Sequence, residues 1–106
     1  MKQWEVWSVD PSYGVHPCVI LSRPGRAERG ETLEVLMVRS QRQAWPGPHE
    51  VVIDQADEMD APSLVDCELI RNVPARAVSN RRGLVTVERR RQIVSTLIKA
   101  HEWGGI

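Results

Sequence analysis

Proline and glycine cut this chain into short apolar runs, and that punctuation constrains the fold more than any other feature. Residues 4–9 alternate imperfectly between apolar and polar and end at the turn Asp10-Pro11-Ser12-Tyr13-Gly14, so they read as a strand. Residues 18–21 form a continuous apolar run, as expected of a strand buried on both faces. Pro24, Gly25 and Gly30 make residues 23–31 read as a loop. Residues 32–38 are β-branched and apolar, a central strand. Trp45-Pro46-Gly47-Pro48 marks residues 41–49 as another loop. Residues 50–53 and 63–73 supply two more strands, the second stopped by Pro74, which cannot donate to a ladder.

The C-terminal third changes period. Thr86 is placed to cap a helix, with Glu88 at the positive end of its dipole. Val87, Val94, Leu97, Ile98 and His101 follow helical spacing and predict one apolar stripe, and Gly104-Gly105 predicts the stop. The expected architecture is mainly β with a C-terminal helix: about five short strands in a strongly bent antiparallel sheet or partly open barrel, with the helix against one face. With 106 residues and no internal repeat, residues 1–106 are expected to form a single domain.

Charge and cysteine content narrow the class. Net charge is +0, yet arginine supplies nearly all of the 14 basic residues, and arginine is the better bidentate partner for phosphate. A local basic face can hold an anion even when the total cancels. Only 2 cysteines are present, Cys18 and Cys67, which excludes a disulfide-stapled scaffold. No run approaches the ~18 apolar residues of a membrane span, and Met1-Lys2-Gln3-Trp4-Glu5 lacks the apolar segment of a signal peptide. A cytoplasmic location is expected. His16, His49 and His101 are scattered and the cysteines lie on separate strands, so no metal and no cofactor is expected.

Several motifs, read in order, resemble one family. Lys2-Gln3-Trp4-Glu5-Val6-Trp7-Ser8-Val9-Asp10-Pro11, followed by Gly14, is similar to the Trp-Val-x-x-Asp-Pro start of the MazF/PemK/Kid toxins. His16-Pro17-Cys18-Val19-Ile20-Leu21-Ser22 resembles their Arg-Pro-Val-x-Val-Leu-Ser strand. Val35-Leu36-Met37-Val38-Arg39-Ser40 resembles their third strand, which ends in Thr or Ser. Residues 63–73 resemble their strand with an acid before Gln-(Ile/Pro)-Arg, and Gly83-Leu84 also fits. The resemblance implies a small SH3-like β-barrel of the MazF/PemK/CcdB kind, a homodimer. It implies a toxin of a toxin–antitoxin pair that cuts single-stranded RNA without metal, its groove blocked by a cognate antitoxin peptide.

Cleavage of that kind uses the 2′-OH of RNA as nucleophile, leaving a 2′,3′-cyclic phosphate and a 5′-OH. It needs a base, an acid and a group that steadies phosphoryl charge. On the resemblance, the catalytic candidates are His16, Glu68 and Ser40. Histidine titrates near neutrality and can carry a proton. Glu68 stands at the family's acidic position, and Ser40 can hydrogen-bond a phosphate oxygen. Arg23, Arg39, Arg42 and Arg71 are candidate RNA contacts, with Trp45 a candidate for base stacking. Trp45 is otherwise expected to fold onto the sheet. Trp4 and Trp7, of opposite parity, are expected to divide between the core and an interface or the surface.

The sequence departs from the family at three places. His16 stands where an arginine is usual, and Asp66 where a basic residue is usual. Only Val15 and His16 separate Gly14 from Pro17, where relatives carry a longer loop. Strand alternation would put Asp66 and Glu68 on one face about 7 Å apart, where they repel phosphate unless an arginine intervenes. These departures support a second reading, a non-catalytic module on the same barrel such as a gyrase poison or protein-interaction domain.

Overall fold

The computed structural model describes residues 1–10, 12, 14–41 and 45–104. Pro11 and Tyr13 of the expected turn, the RNA-contact candidate Arg42, and Gly105 of the expected helix stop lie outside the described residues. Six strands form one antiparallel sheet: β1 (Glu5–Val9), β2 (His16–Ile20), β3 (Thr32–Ser40), β4 (Glu50–Ile53), β5 (Ser63–Pro74) and β6 (Val78–Leu84). Their order is β4-β5-β3-β2-β1-β6, with α1 (Pro24–Arg29) and α2 (Val87–His101) beside the sheet.

Both faces of the sheet carry core, which explains the apolar run in β2. Val19 packs with Val6, Leu36, Val38 and Val65 in the cluster that holds Ile93 and Leu97 of α2. Cys18 and Ile20 point the other way, joining Leu33, Val35 and Ala27 of α1. Strict alternation in β3 sends Leu33 and Val35 to one cluster and Leu36 and Val38 to the other. Burial pushes the thiols of Cys18 and Cys67 up to about 12, so neither is a nucleophile. Trp4 and Trp7 are both half-buried, each against a different cluster, rather than one inside and one outside.

Four sequence expectations need correction. The expected loop at residues 23–31 contains α1, because Pro24 sits at its first position, where a missing N–H costs nothing. Gly30 then donates its N–H to the Arg26 carbonyl. The sixth strand, β6, is missed because its sequence VSNRRGL is polar, as suits an edge strand. In α2 the buried residues are Ile93 and Leu97, while Val87, Val94 and Ile98 of the expected stripe are 57%, 43% and 41% exposed. The Thr86 cap holds, its side chain accepting from Arg89 N–H at 3.3 Å. The helix stops at Glu102, in the left-handed region at φ 57°, before the glycine pair.

The pairing of β5 with β3 is irregular. Leu36 stands opposite Ile70, but Val38 stands opposite Val65, so Asp66, Cys67, Glu68 and Leu69 together face the single Met37. Val65 and Cys67 nevertheless share one apolar cluster, and Asp66 and Glu68 lie outside it. Asp66 is half-buried, Glu68 is exposed, and the Glu68 N–H donates to Asp66 Oδ1 at 2.9 Å, a local side-chain turn. The first half of β5 pairs with both β4 and β3, and the second half with β3 alone.

Beyond the sheet, charged pairs hold the turn after β4. Asp57, fully buried, accepts from Thr86 N–H at 2.8 Å, Asp54 N–H at 3.0 Å and Arg89 Nη1 at 2.8 Å. Gly83 of β6 makes this approach possible, since a Cβ there would lie 2.4 Å from the Asp57 carbonyl oxygen. Hydrogen bonding from Arg89 holds the Asp54 carboxyl below its ordinary 3.8. For Glu5, burial pushes upward. Hydrogen bonds from Arg81, the Lys2 N–H and Trp7 outweigh it and hold the carboxyl below 4.5.

A carboxyl lowered by folding adds stability above its unfolded value and loses it as pH falls through its lower folded value. The thermal midpoint is therefore expected to hold down to about pH 5 and to fall below it as Glu5 and Asp54 take up protons. Thermal unfolding of Glu5→Gln against pH checks this. It should start lower at neutral pH and decline less steeply below 4.5 than the parent. Identical slopes would refute the assignment to Glu5.

Candidate active site

The ends of β2 and β3 meet beside β6 and enclose a groove of about 600 Å³. His16 opens β2 opposite Val9. The β2–β3 ladder pairs Cys18 with Met37, and two residues further along each strand stand His16 and Arg39. Ser40 closes β3 opposite Ser63 of β5. His16, Arg39 and Ser40 all line the groove, together with Asp60, Ser63 and Arg82. Strand pairing thus gathers three of the expected site residues although 24 positions separate His16 from Ser40. A second depression of about 350 Å³ shares Met59, Asp60 and Arg82 with the first and continues it toward Asn80 and Arg81.

The remaining candidates lie elsewhere. Glu68 is five residues beyond Ser63 along β5 and does not line the groove. Its Oε1 is 3.2 Å from His49 Nδ1, an exposed pair. Arg71 stands opposite Val35, in the half of β5 away from the groove. Arg23 lines a separate depression of about 550 Å³ with Arg26 and Arg29 of α1. Trp45 is 82% exposed, so it does not fold onto the sheet, and it is not part of the groove wall. Its loop is nevertheless tied to the groove. Glu50 accepts from Gly47 N–H at 2.7 Å through Oε1 and from Arg39 Nε at 3.0 Å through Oε2.

Sequence reasoning missed Asp60 and Arg82 as site residues. Arg82 was one of many arginines, and only β6 brings it to the groove. Chemically, the groove combines an imidazole that can move a proton, a hydroxyl that can donate to an anionic oxygen, and two guanidinium groups. Among the described residues no group of three or more His, Cys, Asp or Glu side chains is arranged to hold a metal ion. No helix among them is long and apolar enough to cross a membrane.

This fold is that of a known class of small bacterial toxins. It matches an endoribonuclease in complex with its cognate antitoxin from a mycobacterial species, at TM-score 0.83 and 20% identity over 96% of this chain and 95% of that one. It also matches Mycobacterium tuberculosis toxin MazF-mt6, at TM-score 0.80 and 15% identity over 92% and 96%. A third match is MazF from Deinococcus radiodurans, at TM-score 0.79 and 13% identity over 96% of both chains. By sequence, no curated protein matches the chain. Residues 2–101 match the PemK-like, MazF-like toxins of type II toxin–antitoxin systems, and the chain belongs to that family.

Proposed function

We propose that this toxin is a metal-independent endoribonuclease and that it cuts single-stranded RNA in the groove between β2, β3 and β6. The observation that carries the reading is the convergence of His16, Arg39 and Ser40 on one open cleft. In the reaction a 2′-oxygen attacks the adjacent phosphorus as its proton leaves to a base. The bond from phosphorus to the 5′-oxygen breaks, and that oxygen takes a proton from an acid. A 2′,3′-cyclic phosphate and a 5′-OH remain, and no outside electron donor or acceptor is needed. His16 carries one of the two protons, and Ser40 and Arg39 hold phosphate oxygens. Glu68 does not line this groove, whose own carboxylate is Asp60.

A cognate antitoxin peptide is the proposed regulator and a homodimer the proposed assembly, by analogy with the mycobacterial endoribonuclease–antitoxin complex and the MazE–MazF complexes of Deinococcus radiodurans. Such a toxin acts on RNA in the cytoplasm. The test is incubation of purified protein with a long unstructured RNA in EDTA, followed by mapping of the ends. Discrete cuts with 5′-OH ends are expected. Intact RNA, together with growth arrest on expression, would point instead to a toxin that works by binding, as the histidine at 16 and Asp66 would allow.

A further inference from the structure

The geometry points to Arg82 as the groove's principal phosphate-binding cation, placed by two bulges in β6. This rests on the ribonuclease reading and names a further contact at the same site. The pairing of β1 with β6 carries the argument. Val6 stands opposite Gly83, Trp7 opposite Arg81, and Ser8 opposite Ser79. Arg82 and Asn80 are therefore both left without a partner residue on β1, two successive single-residue bulges. Asn80 sits in the left-handed region at φ 52°, as a bulge in a tightly twisted edge strand allows. Bulges re-aim side chains, and this one leaves Arg82 on the wall of both adjoining depressions.

Ion pairing separates Arg82 from its neighbours. Arg39 shares its charge with Glu50, which pairs with it, and so offers phosphate only part of it. Arg81 is spent on structure, with Nε 2.8 Å from Glu5 Oε2 and Nη1 3.1 Å from Glu58 Oε1. Arg89 is held by Asp54 and Asp57. Among the described residues Arg82 makes no ion pair, and its one hydrogen bond is a long one of 3.4 Å from Nη1 to the buried Ser8 hydroxyl. Asp60 lines the same groove without pairing to it. Arg82 is thus the groove guanidinium whose charge is not already neutralised. A guanidinium that pairs with no carboxylate keeps its forked donors for a phosphate. It supplies the fixed positive charge that a histidine at position 16 does not guarantee.

The test compares the parent, Arg82→Ala, Arg82→Lys and Arg76→Ala, the last an exposed arginine outside the groove and of equal charge change. Binding to an all-deoxy oligonucleotide, which cannot be cut through a 2′-OH, is measured against salt in EDTA. Single-turnover cleavage of the matching RNA is measured alongside. Arg82→Ala should flatten the slope of log K against log salt by about 0.7, the loss of one phosphate contact on a single strand. It should slow cleavage about 10²-fold. Arg82→Lys should recover part of both, and Arg76→Ala should leave the slope unchanged.

Equal slopes for the parent and Arg82→Ala would overturn the assignment. An equal loss in Arg76→Ala would do the same, since the effect would then be one of total charge. If the parent does not cut RNA at all, the ribonuclease reading fails, while the slopes still decide whether Arg82 holds a phosphate. A parent that shows no salt-dependent binding to the oligonucleotide would also overturn the role of Arg82.

Discussion

Asp57→Ala is expected to lower folding free energy by about 3 kcal/mol, because removing one partner of a buried ion pair strands the other. Three donors lose their acceptor at once: the Thr86 N–H, the Asp54 N–H and the Arg89 guanidinium. Arg89 is 25% exposed and keeps Asp54 as a partner, so the low end of the range for buried pairs applies. For a chain of this size the thermal midpoint should fall by more than about 10 °C. The loss would also reach the groove, since the turn that Asp57 closes leads directly into Met59 and Asp60 on its wall. Asp57→Asn keeps one acceptor oxygen and should lose less. Thermal or urea unfolding measures both, and a loss below about 1 kcal/mol for the alanine variant would mean that water replaces the carboxylate without penalty.

His16→Ala should slow RNA cleavage by about 10²-fold or more, the usual contribution of a positioned proton carrier. His16 is half-buried at the start of a strand and is not part of either apolar cluster. Thermal unfolding of the variant, run alongside, separates a loss of rate from a loss of fold. Affinity for a deoxy oligonucleotide should change far less than the rate, because the proposed phosphate contacts reside on Arg39, Ser40 and Arg82. A parental rate in this variant would remove His16 from the chemistry.

Much of the fold was legible because apolar periodicity and proline–glycine punctuation report directly on burial. The strand Glu50–Ile53 and the helix opening at Thr86 are found where the sequence put them. The misses share a physical origin. In α1 a proline that would break a helix interior is harmless at the first turn. In β6 a strand paired on one edge needs little apolar content, so its polar sequence carried no strand signal. The bulge that sets four residues of β5 against one of β3 had no signal in the sequence either.

The site divides along the same line. His16 and Ser40 were readable because they stand at strand ends in recognisable motifs, and the sheet brings those ends together. Arg81 and Arg82 are indistinguishable in sequence. Only the β1–β6 register shows that one is committed to Glu5 and Glu58 while the other borders the groove. Likewise, nothing in the order of residues reveals that Arg39 is shared with the Trp45 loop through Glu50.

The role of the groove is tested most directly with a matched pair of RNAs in EDTA, identical except that one lacks the 2′-OH at a mapped cleavage position. The expected result is a cut in the ribose strand, leaving a 2′,3′-cyclic phosphate and a 5′-OH, and none at the deoxy position. Equal cutting of both strands, or cleavage only after a divalent metal is added, would contradict a groove in which protein side chains and the RNA's own hydroxyl do the chemistry.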